Sequence, residues 1–247
     1  MKRIGIVGGV SWQSTVEYYA GLCRLSERRA AKNRRRGPPM PEMCIESLDH
    51  RTAVALLGRD EDPATWRRFD EYHRTALKRL QASDAEVAVI ASNTPHHRFA
   101  SITRGVAIPV LSIVDASARE AARIGAKRAL VLGTTITMGS RMYPETFRRY
   151  GIEAASPTAK KARAAVIAII KELQRGRIEG ADRRIHAIAE DALGGRVPDG
   201  TAVCLACTEL PLAFPSCNEE PSFAQDGVSY LNSVAAHIRA LFDFAIA

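Results

Sequence analysis

The sequence predicts an α/β protein of two pseudo-symmetric lobes, each a mostly parallel sheet flanked by helices, with a ligand site in the cleft between them. Three observations lead there. Short runs rich in Val, Ile and Leu are continuous rather than alternating, as in strands covered on both faces. Helical segments separate them, and alternating β and α units imply parallel strands joined by right-handed crossovers. The halves also repeat themselves: each opens on a strand ending in glycine ("IVGG", "VLGTT"), and each has a later strand ending in a small polar triplet ("SNT", "CTE").

Taken in order, the strand candidates are "RIGIVGG" (3–9), "MCIESLD" (43–49), "EVAVIASN" (86–93), "IPVLSIVD" (108–115), "RALVLGTT" (128–135) and "TAVCLACTE" (201–209). Helices are expected over 14–30, 64–82, 115–124, 141–150, 159–174 and 180–193. Ser14 with Glu17 fits a capping box for the first helix, and Asp84 and Gly125 punctuate two helix exits. One lobe is placed at 1–113, completed by 225–247 with the helix after "DGVSYLN"; the other is placed at 114–224.

The 247 residues are 46% hydrophobic and 25% charged, enough for a real core. No run of 18 or more apolar residues marks a membrane span. The opening "MKRIGIVGGVSW" has too short an apolar stretch for a signal peptide and reads as a first strand. Five cysteines, an odd number without framework spacing, point to free thiols and a cytoplasmic setting. The net charge of +8 invites a nucleic-acid reading, but the arginines are interleaved with acids. The one dense basic segment (26–41) has no aromatic on which a base would stack. No nucleic-acid or membrane partner is expected. A mildly basic surface around a site for small acids, or a solvated loop, accounts for the charge.

Ligands of parallel sheets bind beyond the carboxyl ends of the strands, where both triplets lie. Cys207 is therefore a candidate nucleophile or base, since a thiol is already partly ionised near neutral pH; a buried, inert cysteine is the plain alternative. Cys204 forms a C-x-x-C with it, but no second pair completes a metal set, so no metal is expected. Ser92 holds the corresponding place in the first half. An aliphatic hydroxyl ionises roughly 7 pH units above a thiol, a gap of about 10 kcal/mol. Ser92 thus cannot work as a free anion and would need a partner base; His96 is the nearest, with His97 on another side of the same turn. His96 reads equally well as a helix-start residue holding a backbone group.

Five motifs in order, "IGIVGGVSWQSTVEYY", "LDHRTAVALL", "ASNTPH", "SPTAKKARAAVIAIIKEL" and "ACTELP", resemble the cofactor-independent aspartate/glutamate racemase superfamily along essentially the whole chain. The resemblance implies proton transfer at the α-carbon of an acidic amino acid, aspartate or glutamate, with neither pyridoxal phosphate nor metal. It also implies a dimer. It makes Cys207 one catalytic residue and puts Ser92 where most members have the other cysteine. By the same resemblance, Arg51, Asn93, Thr94, Thr208, Glu209 and Arg163 contact substrate, with Lys160 or Lys161 as substitutes for Arg163. The turn at Val10 and Thr134 after "VLG" face the same site. Tyr230 stands near the place of a family aspartate. A one-thiol decarboxylase or cis–trans isomerase of a dicarboxylate, or an amino-acid binder without turnover, stays open because of Ser92.

Overall fold

The computed structural model describes residues 1–32, 40–59 and 62–247. Two compact units emerge: Met1–Ser112 with Ile238–Ala247, and Ile113–His237. Residues 33–39 of the dense basic segment 26–41 lie outside the described residues.

In the first unit, β1 (Ile4–Gly8), β2 (Met43–Ser47), β3 (Val87–Ile90) and β4 (Val110–Leu111) make a parallel sheet of order β2-β1-β3-β4. The strands of its centre, β1 and β3, are buried at every residue. Two glycines of β1 show how both faces are covered. A Cβ on Gly5 would stand 3.2 Å from Leu80 of α3 (Arg67–Ala82), and one on Gly8 would stand 2.5 Å from Thr15 Oγ1 of α1 (Trp12–Lys32). Successive strand residues alternate faces, so α1 and α3 lie on opposite sides of the sheet. The run 108–115 is strand only at 110–111: Ile113 already starts α5 (Ile113–Arg123), with Ser117 Oγ bonded to the Ile113 carbonyl at 2.7 Å. A short apolar run does not distinguish a buried strand from a buried helix start. The cap of α1 is also displaced from expectation. Ser11 Oγ accepts from the Ser14 N–H at 3.4 Å, while Ser14 Oγ is buried without a partner.

In the second unit, β5 (Arg128–Gly133), β6 (Glu153–Ala155), β7 (Thr201–Ala206), β8 (Ser222–Gln225) and β9 (Val228–Asn232) form a sheet of order β6-β5-β7-β9-β8, parallel except for β8. Its first four strands repeat the order of the first sheet, which is the internal repetition expected of the halves. Alternate residues of β5 and β7 separate two cores. Leu130, Leu132, Val203 and Leu205 pack with α8 (Lys160–Leu173) and α9 (Ala181–Ala192). Val131, Ala202, Cys204 and Ala206 pack with α5 and α7 (Met142–Arg148). Each fully buried Val, Leu, Ile or Phe adds about 1.5–3 kcal/mol of hydrophobic stabilisation.

The boundary drawn at 225 is corrected by β9, which pairs with β7 through Ala202↔Ser229 to Leu205↔Asn232. The segment 225–237 therefore belongs to the second unit, and only Ile238–Ala247 joins the first. Asp226 (φ 51°) and Gly227 (φ 76°) make the tight turn of the β8–β9 hairpin, a Asp-Gly signal legible in the sequence. The anticipated helix exits at Asp84 (φ 59°) and Gly125 (φ 73°) are left-handed, as a chain leaving a helix requires. Among the described residues, no helix is long and apolar enough to cross a membrane.

Two histidines are enclosed beneath the first sheet. His73 Nδ1 donates to the Phe69 carbonyl at 2.9 Å and His96 Nδ1 to the Ser92 carbonyl at 2.8 Å. Burial disfavours the imidazolium of both, and it pushes His96 down to about 4. The unfolded chain therefore binds a proton at His96 from about pH 6.5 downward, which the folded chain resists until about pH 4. Stability is accordingly full above that window and falls as pH drops through it, by about 3 kcal/mol for His96. Urea midpoints between pH 7 and pH 4 should show this slope, and His96→Leu should flatten it. Equal slopes in the two proteins would contradict the burial argument.

Candidate active site

Candidate residues of the first unit lie at the carboxyl ends of β1 and β3. Gly9, at φ 83°, cannot carry a side chain, because a Cβ would lie 2.0 Å from the Leu48 carbonyl. Its N–H donates to Thr15 Oγ1 at 2.9 Å, which fixes the turn into α1. The Val10 carbonyl is held by His50 Nδ1 at 2.5 Å. His50 opens α2 (His50–Ala55), and Asp49 caps that helix by accepting from the Thr52 N–H at 2.7 Å and its hydroxyl at 2.6 Å. Those bonds keep the exposed Asp49 carboxyl below its usual range. Arg51 is therefore an exposed residue in a helical first turn, not part of a loop.

Ser92 follows β3 in a tight turn, its N–H reaching the Ile90 carbonyl at 2.8 Å. The chain then passes the buried Asn93 into a short 3-10 turn, Thr94–Arg98, where Thr94 is half-buried. His96 stacks on Phe99, and the carbonyls of Ser92, Asn93 and Leu111 face its ring. The Nδ1 hydrogen is thus committed to the Ser92 main chain instead of its hydroxyl, which is the backbone-holding role left open in the sequence reading. His97 points elsewhere, with its ring 5.2 Å from that of Trp66. Below the turn, Arg98 donates twice to the buried Asp70 carboxylate, at 3.1 and 2.8 Å.

Candidate residues of the second unit lie at the equivalent ends of β5 and β7. A Cβ on Gly133 would stand 2.6 Å from the Ala206 carbonyl, so the strands close tightly where the chain turns. Thr134 caps α6 (Thr135–Gly139), accepting from the Thr137 N–H at 3.2 Å. Cys207 follows β7, with its residue 5% exposed and its Sγ–H donating to Glu209 Oε2 at 2.9 Å. Thr208 Oγ1 donates to the same oxygen at 3.1 Å, and Gln174 Nε2 reaches Oε1 at 3.3 Å. Burial first, then the Glu209 charge and hydrogen bond, hold the thiol well above its ordinary value. The main-chain N–H groups of Thr208 and Glu209 act the other way, since they face the sulfur and favour an anion there.

Cys204 and Cys207 belong to opposite cores of the sheet. Burial pushes the Cys204 thiol up to about 12, so the C-x-x-C spacing is not one site. Among the described residues, no group of three His, Cys, Asp or Glu stands close enough to hold a metal ion. Arg163 turns its Nε to the Pro157 carbonyl at 2.6 Å, and Lys160 and Lys161 are exposed. Tyr230 is a core residue, stacked on Phe223 with its hydroxyl 3.1 Å from His186 Nδ1. In sum, Cys207, Thr208 and Glu209 meet in one unit, while Ser92, Asn93 and Thr94 with the Val10 turn share the other. Sequence reasoning missed His50 and Gln174. An Asp-x-x-Thr cap ahead of α2 was available to find the first; Gln174 had no local signal.

The family profile described as Asp/Glu/Hydantoin racemase matches residues 7–241. A crystal structure of an aspartate racemase homologue from Pyrococcus horikoshii OT3 superposes with a TM-score of 0.76 at 29% identity, covering 100% of both chains. The glutamate racemase of Aquifex aeolicus is 27% identical over 175 residues, a stretch covering 70% of this chain and 64% of that enzyme. The aspartate racemase of Picrophilus torridus, at 20% identity and a TM-score of 0.72 over 99% of this chain and 94% of that one, shares the fold. Enzymes of these names are isomerases. The match over nearly all of the sequence, with both strand-end motifs inside it, makes this chain a member of the Asp/Glu/Hydantoin racemase family.

Proposed function

We propose that this chain is a cofactor-independent racemase of an acidic amino acid, aspartate or glutamate. The observation that carries the reading is the thiol of Cys207 bonded at 2.9 Å to a carboxylate that is itself 3% exposed. Glu209 Oε2 takes the thiol proton, and the N–H groups of Thr208 and Glu209 receive the resulting thiolate. The thiolate then removes the α-proton, leaving a carbanion beside the substrate carboxylate. Arg51, Asn93, Thr94, Thr134, Arg163 and the Val10 turn bind the substrate's charged groups. A proton returns to the other face of the α-carbon from the Ser92 side. In that step the Ser92 hydroxyl gives its proton to the carbanion while taking another from solvent water, which is left as hydroxide, since a free serine alkoxide costs about 10 kcal/mol more to form than a thiolate.

One observation favours a second reading. With His96 Nδ1 donating to the Ser92 carbonyl, the hydroxyl lacks that nitrogen as a base. A one-thiol member of the family would then protonate a carbanion left by loss of carbon dioxide, using Cys207 alone.

The homodimer is also a proposal, and one face of the first unit supports it. Trp12, Val16 and Tyr19 lie at helical spacing on α1 and are 68%, 53% and 50% exposed. Ile45, 41% exposed on the edge strand β2, points to the α1 side of the sheet, because its neighbour Glu46 pairs with Arg79 of α3 on the other. Together they offer roughly 400 Å² of apolar surface. A standard interface of about 800 Å² per partner needs roughly 450 Å². A second copy of this chain is the occupant of matching size.

In deuterated water without added cofactor, the protein should exchange the α-proton of aspartate or glutamate. Absence of exchange with either enantiomer across common amino acids would remove the racemase reading. Cys207→Ser should lower exchange by roughly 10²–10⁴-fold, whereas Cys204→Ala should leave it nearly intact. Release of carbon dioxide from a substituted malonate, without exchange, would select the one-thiol enzyme. Light scattering should report a dimer that Trp12→Glu converts to monomer; a monomeric parent protein would dismiss the α1 face.

A further inference from the structure

Among the described residues, Glu209 has three side-chain donors, and one of them comes from outside its own turn. Oε2 receives Cys207 Sγ–H and Thr208 Oγ1–H, while Oε1 receives the Gln174 amide at 3.3 Å. The carboxylate torsion of glutamate is broad and roughly two-fold, so donors on one oxygen leave the plane of the group poorly determined. A donor on the second oxygen, from another element, determines it. Gln174 is the C-cap of α8, its N–H bonded to the Ile170 carbonyl at 3.0 Å. Ala162, Val166, Ile169, Ile170 and Leu173 are the buried residues of that helix, and Val166, Ile169, Ile170 and Leu173 belong to the core that also contains Cys207 and Leu210. The amide is thus delivered from a packed helix end to a fixed place.

We propose that Gln174 is a positioning residue for proton transfer at Cys207: its amide turns the Glu209 carboxylate so that Oε2, and not empty space, faces the thiol. The neutrality of the donor matters. A lysine there would orient the carboxylate equally well, but its charge would weaken the carboxylate as a proton acceptor. An amide orients without that cost. The inference rests on Cys207 and Glu209 being the proton-transfer pair of the proposed racemase.

Two readouts test it. The first is kcat and KM for α-proton exchange. The second is the pH dependence of Cys207 modification by methyl methanethiosulfonate, followed by mass spectrometry, which needs no substrate. Gln174→Leu should lower kcat roughly ten-fold with KM within two-fold, the loss of about one charge-assisted hydrogen bond. It should also move the modification midpoint of Cys207 to lower pH, because the carboxylate turns away from the thiol. Gln174→Met, a side chain of similar length that also lacks the donor, should move that midpoint to lower pH as well. Lowered midpoints in both variants are the signature of positioning; a merely structural role leaves them unmoved. Unmoved or raised midpoints would overturn the proposal. Should Gln174→Leu not fold, Gln174→Met against the parent protein decides, and an unmoved midpoint rejects the idea. A parent protein that shows the thiol titration but no exchange rejects the racemase reading and leaves the modification test standing.

Discussion

A parallel strand covered on both faces has to leave its sheet through a turn, and the backbone groups of that turn point past the strand's carboxyl end. That constraint organises this protein twice. Helices α1 and α3 close on β1 and β3 in the first unit, with Gly5 and Gly8 small enough for both to approach. In the second, α5 and α7 on one face and α8 and α9 on the other enclose β5 and β7. The residues that follow β3 and β7, Ser92, Asn93, Cys207 and Glu209 among them, are buried at these strand ends. The repeated order of strands places them at equivalent points of two sheets.

Equivalent positions do not have equivalent chemistry. After β7, a thiol is set between a carboxylate that opposes its ionisation and two main-chain N–H groups that support it. Small changes in the position of Glu209 therefore alter the balance of charge around the sulfur. After β3, the hydroxyl of Ser92 has no comparable range. The histidine four residues on is buried, neutral and bound to a carbonyl. It stabilises the turn and serves the serine through its backbone. The two halves of the repeat have diverged in electrostatics while keeping one architecture.

Several elements were legible because their cause is local. The central strands read as continuous apolar runs since they are buried on both sides, and Asp84 and Gly125 mark helix exits by their left-handed backbone. Cys207-Thr208-Glu209 form a contiguous triplet whose contacts are made within three residues. Other elements were not read. β6, of three residues, is too short for a pattern, and β8 and β9 were passed over although Asp226-Gly227 announces their hairpin. The start of α5 was hidden in an apolar run that a strand would equally explain. The cap of α1 falls three residues earlier than Ser14, because the helix already starts at Trp12 and Ser11 Oγ accepts from the Ser14 N–H.

By itself the sequence determined the α/β class, the internal repetition and the Cys-Thr-Glu motif, since each is written in periodicity or in neighbouring residues. Only tertiary structure decided the rest. It separated Cys204 from Cys207, because alternate residues of one strand enter different cores. It moved 225–237 to the second unit, because β9 hydrogen-bonds to β7. It brought Gln174 to Glu209 across 35 positions of chain. These are consequences of which surfaces pack and which strands pair, and such pairings join residues that no short window of sequence contains.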